Sequence, residues 1–135
     1  MTEKDLLFDA SSLIYALKLR KVETLYDNYI QWLTIYEVIN ALWKEAILTE
    51  NISVKDATDI INAFCSVIDL MKLLTPHPHE QKIFTIAKEL KITTYDASYI
   101  FLAKKHNLLL VTEDKKLKER AKSLVNTANL SEIIH

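Results

Sequence analysis

Residues 94–114, TYDASYIFLAKKHNLLLVTED, decide the fold. The stretch predicts a helix over 95–106, a tight connection at Asn107, and an apolar strand over 108–111 that ends in polar residues. One acid, Asp96, opens the helix, and another, Asp114, follows the strand. Ile100 and Ala103 repeat from Asp96 at helical spacing, so its carboxylate projects from an otherwise apolar face and needs a cation or hydrogen-bond donors.

Working outward, the same alternation of strand and helix runs through the chain. Residues 5–10, DLLFDA, predict a short buried strand, with Ser11 or Ser12 capping a helix to about Leu19. Tyr29–Leu33 is rich in aromatic and branched residues and reads as a second strand. Thr34 opens a helix with Ile35, Val38, Ile39, Leu42, Ala46 and Trp43 as its apolar stripe. Thr34 and Glu37 have capping-box spacing. Ser53, with Asp56, caps a helix to about Leu70. Lys72–Thr75 is a short strand. Pro76 and Pro78 precede a helix from about His79 to Leu90. A charged helix over 114–123, an edge strand over 125–127 and a short helical tail over 130–134 complete the chain. Strands alternating with helices predict an α/β domain spanning residues 1–135, with a central parallel sheet of about five strands and helices on both faces.

Composition sets bounds. The chain has 135 residues, half of them apolar, and a formal net charge of −1. That suits one domain with a sizeable core. Neither a membrane-spanning run nor a signal segment is present, so a cytoplasmic location is the default expectation. The lone Cys65 is assigned to the core. With no glycine available, turns fall to Asn, Asp, Ser and Pro, and Asn51 and Asn107 are expected to take left-handed helix ends. Lys104, Lys105, Lys115, Lys116, Lys118, Arg120 and Lys122 form a modest basic patch, read as a solvated face.

In an open parallel sheet, ligands sit beyond the carboxyl ends of the strands. Four acids are expected at that edge: Asp9 after strand one, Glu37 in the turn after strand two, Asp96, and Asp114. Each also has an ordinary structural explanation, because acids in a first helical turn suit the helix dipole and serve as caps. If the four converge, their repulsion calls for a hard divalent cation, and an all-oxygen donor set favours Mg²⁺ or Mn²⁺. The matching chemistry is hydrolysis of a phosphodiester. Asn40, three residues beyond Glu37, is placed near the same rim, with Lys44 as a weaker phosphate contact. His77 and His79 are read as a polar helix entry, His106 as a helix-end residue, and Trp32, Trp43 and the tyrosines as core or interface residues.

Three pieces, LLFDASSLI, TIYEVINAL and YDASYIFLAKKHNLLLVTED, resemble the PIN-domain ribonucleases, and within them the small toxins of VapC type. The similarity covers essentially the whole chain. It implies Asp9, Glu37, Asp96 and Asp114 as metal-binding catalytic acids, with Ser11 and Thr112 as polar neighbours that orient an acid or a water. It further implies a Mg²⁺- or Mn²⁺-dependent endoribonuclease acting on RNA, a homodimer, and control by an antitoxin protein. Family members have glycines near the third acid and before the last strand, where this chain has Lys91-Ile92 and Asn107. Glu113 adds a negative charge beside Asp114.

Three other readings fit less well. A haloacid-dehalogenase-like phosphatase needs a second Asp two positions after the first, where Ser11 stands. A signalling receiver needs an acid pair, and Asp5 is too far along the strand from Asp9. A PIN fold kept only for binding has no need of four acids. An RNA-processing nuclease without a toxin role stays open.

Overall fold

A computed structural model describes residues 4–134. The expected domain also includes residues 1–3 and 135, which lie outside the described residues. Five short strands, β1 (Leu6–Phe8), β2 (Tyr29–Gln31), β3 (Lys72–Leu74), β4 (Leu109–Val111) and β5 (Thr127–Ala128), form one sheet in the order β3-β2-β1-β4-β5. Every pairing is parallel, with Leu7 beside Tyr29 and Leu110, and Tyr29 beside Lys72. The direction of strand succession reverses at β1, so the crevice between the ends of β1 and β4 is the topological switch point.

Strand alternation divides the core between the two faces of the sheet. Phe8 and Val111 pack on one face with Leu13 of α1 (Ala10–Leu19), Val38 and Leu42 of α2 (Trp32–Trp43), and Phe64 and Val67 of α3 (Val54–Ile68). Leu7 and Leu110 pack on the other with Tyr99, Ile100 and Leu102 of α5 (Thr94–Lys105) and Leu117 of α6 (Lys115–Ala121). A satellite cluster joins Ile83 and Ala87 of α4 (Glu80–Leu90) to Ala97. Leu7 and Leu110 are wholly buried neighbours. Truncating either to alanine is expected to cost about 2–5 kcal/mol.

Several local expectations are corrected. The first helix is capped by Asp9, whose Oδ1 accepts from the Ser12 amide at 3.0 Å, and by neither Ser11 nor Ser12. The second begins at Trp32, two residues early, so Thr34 lies inside it and accepts from the Gln31 amide at 3.2 Å. Glu37 is therefore no capping residue. That helix passes at Trp43 into a π-helical turn, Lys44–Leu48, closed by the Thr49 amide on the Lys44 carbonyl. Ile39 and Trp43 of its expected stripe are exposed, as is Trp32. Cys65 is exposed too, on the outer side of α3. The last strand is Thr127–Ala128 rather than 125–127.

Left-handed backbone occurs at Arg20, Asp27, Glu50, Lys91 and Asn107. Asn107 and Asp27 follow the expected chemistry. Asn51 does not take this role; Glu50, one residue earlier, does. Without glycine the chain places long charged side chains in a region that costs an L-residue roughly 1–2 kcal/mol. Arg20 and Lys91 end α1 and α4 in this conformation, their amides donating back into the last turn.

Candidate active site

Asp9 sits just beyond the central strand, at the switch point, and is almost fully buried. Its carboxylate is held on both sides. Oδ1 accepts from the Ser11 hydroxyl (2.8 Å) and the Ser12 amide (3.0 Å), and Oδ2 accepts from the Thr112 hydroxyl. The Ser12 hydroxyl donates its one proton to the Val111 carbonyl at 2.7 Å, tying α1 to β4. Thr112 in turn accepts from the Asp114 amide at 3.0 Å, and Ser11 accepts from the Glu113 amide at 3.0 Å. The loop after β4 is thus registered on Asp9 through two hydroxyls.

The other three acids arrive on helices. Glu37 lies in the second turn of α2, one carboxylate oxygen accepting from the Tyr99 hydroxyl at 2.5 Å. Asp96 lies in the first turn of α5, whose N-cap Thr93 accepts from the Asp96 amide at 3.1 Å. Among the described residues, no donor is hydrogen-bonded to the Asp96 carboxylate. Asp114 is the N-cap of α6, and its Oδ1 accepts from the Lys116 and Leu117 amides at 2.9 and 3.2 Å. Its expected alternative as a cap is therefore realised, with the second oxygen left over.

All four acids line one cavity of about 350 Å³, together with Ser11, Asn40, Lys44 and Tyr99. Four negative charges and the single positive charge of Lys44 leave the lining formally at −3. Burial pushes the Asp9 carboxyl above its ordinary value of 3.8, outweighing its hydrogen bonds. Burial raises Glu37 as well, with repulsion from Asp9 and Asp96 adding to it and the Tyr99 hydrogen bond opposing it. Asp96 is raised by burial, then by Asp114 and Asp9. The donors open to a cation are all oxygens. Among the described residues, no three Asp, Glu, His or Cys side chains are drawn into a ready-made cage.

Asn40 and Lys44 do reach the rim where they were placed. His77 and His79 form the expected polar helix entry: His77 faces Glu80 at 2.5 Å, and His79 stands at the N-cap position of α4 with its ring 4.9 Å from that of Phe101. His106 ends α5 as expected, and burial lowers its pKa. Of the seven basic residues over 104–122, Lys118, Arg120 and Lys122 are engaged by Glu132, the Leu90 carbonyl and Glu119.

Two residues that shape the cavity carry little signal of it in the sequence. Ser12 ties α1 to β4 through partners 99 residues apart, which no local pattern signals. Tyr99, placed generically with the tyrosines of core or interface, is buried yet reaches the cavity with its hydroxyl. Its spacing of three from Asp96 put both on one helix face, the signal that could have found it.

Comparison with known proteins agrees with this geometry. The PIN domain family model matches residues 6–123. The chain is 35% identical over 132 residues to Exonuclease VapC9 of Pyrobaculum aerophilum, spanning 92% of this chain and 91% of that one. It is 32% identical over 99 residues to Ribonuclease VapC3 of the same organism, spanning 69% and 70%. The crystal structure of PAE2754 from Pyrobaculum aerophilum superposes with a TM-score of 0.78 at 31% identity, over 96% of this chain and 92% of that one. With its parallel sheet, its acid-lined switch point and a family match across most of its length, the chain belongs to the PIN domain family.

Proposed function

We propose that the protein is a metal-dependent ribonuclease, the toxin of a toxin–antitoxin pair, and that it cuts RNA internally. The observation that carries this reading is the gathering of Asp9, Glu37, Asp96 and Asp114 around one cavity at the β1/β4 switch point. Carboxylates that raise one another's pKa values form a site short of positive charge. A hard cation such as Mg²⁺ or Mn²⁺ suits them. Magnesium keeps several waters and takes only one or two carboxylates directly, so an open arrangement is appropriate to it. When bound, such a cation activates water and offsets charge on the phosphate.

The chain's own residues divide the remaining work. The Ser11 and Thr112 hydroxyls and the Ser12 amide fix Asp9 and keep it from rotating. Asp96, without an internal partner among the described residues, is the acid freest to respond to a ligand. Lys44 and Asn40 line the side of the cavity formed by α2 and its π-helical extension, where a phosphate or a neighbouring nucleotide would be held. One domain over residues 1–135, acting on RNA in the cytoplasm, goes with this reading; among the described residues no helix is long and apolar enough to cross a membrane.

Two apolar surfaces support the partner assignments. Tyr36, Ile39 and Trp43 are exposed on α2 and share a hollow with Glu37 and Asn40 at the cavity's edge. A segment of the antitoxin laid there would cover both the apolar strip and the acids. Phe84 and Tyr95 flank a separate apolar hollow of about 380 Å³ between α4 and α5, the surface we assign to a second copy in a homodimer.

A second reading, trimming of RNA from its ends, is favoured by the name of one relative, Exonuclease VapC9. A circular RNA discriminates between the two. Linearisation in Mg²⁺ and none in EDTA supports the endonuclease. An intact circle beside a degraded linear control supports the exonuclease, and no cleavage of either removes the ribonuclease reading.

A further inference from the structure

The Tyr99 hydroxyl does more than fill a space between helices. Its position in a chain of hydrogen bonds fixes the direction of its proton. The Gln31 amide at the end of β2 donates to Thr34 Oγ1 at 3.2 Å. Thr34 and Tyr99 hydroxyls lie 2.7 Å apart, and Tyr99 lies 2.5 Å from Glu37 Oε1. An ionised carboxylate only accepts, so the tyrosine's single proton goes to Glu37. The threonine proton then goes to the tyrosine oxygen, and the threonine oxygen takes the Gln31 amide. Gln31, Thr34 and Tyr99 are all buried, so water does not compete for these positions.

The consequence is that one oxygen of Glu37 is occupied and the other remains. The same division recurs at Asp114, whereas Asp9 has hydrogen bonds on both oxygens and Asp96 on neither among the described residues. Asp114 Oδ1 takes two helix amides, and no hydrogen bond to its Oδ2 is present among the described residues. Calcium fills its larger, irregular shell partly with carboxylates that bind through both oxygens, whereas magnesium takes single oxygens in an octahedron. Glu37 and Asp114, each presenting one oxygen, suit the smaller ion.

We propose that Tyr99, anchored by Thr34, is a positioning residue that holds Glu37 as a one-oxygen donor and so makes the site discriminate against calcium. This rests on the reading of the cavity as a metal site. It is separate from that reading, because a cavity without the clamp would still bind cations, with a different preference.

Calorimetric titration of Mn²⁺ and Ca²⁺ into the full chain tests it, using wild type, Tyr99→Phe and Thr34→Val, with thermal unfolding as the check on folding. Wild type is expected to bind Mn²⁺ at least tenfold more tightly than Ca²⁺. In Tyr99→Phe that ratio falls at least tenfold because Ca²⁺ binding strengthens, and Thr34→Val falls between the two. A folded Tyr99→Phe that weakens both ions by one factor, leaving the ratio unchanged, overturns the clamp while the metal site stands. Wild type binding neither ion overturns both. Infrared spectra of the wild type provide an arm without any need for the clamp variants to fold. The Glu37 carboxylate bands, identified by their absence in Glu37→Gln, are expected at a one-oxygen separation with Mn²⁺, and a two-oxygen separation overturns the proposal.

Discussion

The Thr112 hydroxyl at the end of β4 donates to Asp9 Oδ2 at the end of β1, joining residues 103 positions apart at the centre of the sheet. The Thr112 hydroxyl oxygen in turn accepts from the Asp114 amide. One hydroxyl therefore sets the position of a buried acid and of the loop that carries an exposed one. Thr112→Val keeps the shape and removes both contacts, leaving Asp9 with an uncompensated oxygen. The expected loss is about 1–3 kcal/mol of stability, measured by urea unfolding, with a fall in RNA cleavage of at least tenfold. Unchanged values of both would mean that the hydroxyl is incidental.

Metal-free stability should fall as the pH rises from the acid range to neutrality. The sign follows from the directions of the shifts. Asp9, Glu37 and Asp96 have folded pKa values above the ordinary 3.8 and 4.5. Between the ordinary and the raised value the folded state holds a proton that the unfolded state has lost. The stabilisation is complete below the ordinary values and disappears as pH climbs through the raised ones. Thermal unfolding in EDTA is expected to give a higher midpoint near pH 5 than near pH 7.5, and Asp96→Asn is expected to flatten the difference. A midpoint that climbs over this range would contradict the assignment.

Cleavage should lose activity on the acid side for the same reason. Protons and cation compete for these carboxylates, so metal affinity rises with pH through their raised values. The acid limb of the rate profile is expected above the range of an ordinary carboxylate, and raising the metal concentration should move it to lower pH.

Lys91 carries a conformation that glycine would adopt freely, with φ of 56° at the end of α4. Lys91→Gly is expected to stabilise the protein by roughly 0.5–1 kcal/mol, the relief of left-handed strain exceeding the gain in unfolded-chain entropy. Cleavage should be unaltered, since Lys91 is not among the residues lining the acid cavity. Denaturant titration of this variant beside wild type reads the effect directly; destabilisation would show that the lysine side chain makes up for its backbone.

How far the sequence was legible depends on how local each relationship is. Asp9, Asp96 and Asp114 follow from strand and helix ends, which periodicity marks well, and their arrival at one cavity follows from a parallel sheet with β1 in the middle. Glu37 was placed at the right edge, yet its rival explanation as a cap failed because helical hydrogen bonding begins at Trp32. The exposure of Ile39, Trp43 and Cys65 was hidden, since helical spacing identifies an apolar face without saying whether another layer covers it. The Tyr99–Glu37 contact spans 62 residues and exists only where α5 meets α2 across the sheet edge. Arg20, Glu50 and Lys91 gave no signal as left-handed positions, because in a chain without glycine their residue type does not mark the turn.

Asp96→Asn tests most directly whether the acid-lined cavity hydrolyses RNA with a bound divalent cation. The Asp96 carboxylate has no protein hydrogen bond to lose among the described residues, so the fold should survive the change. Cleavage of a defined RNA in Mg²⁺ by purified wild type and variant, both checked by thermal unfolding, is the measurement. A variant as stable as wild type or more so, with cleavage reduced at least a hundredfold, is the predicted result. A folded variant that cleaves at the wild-type rate would contradict the account.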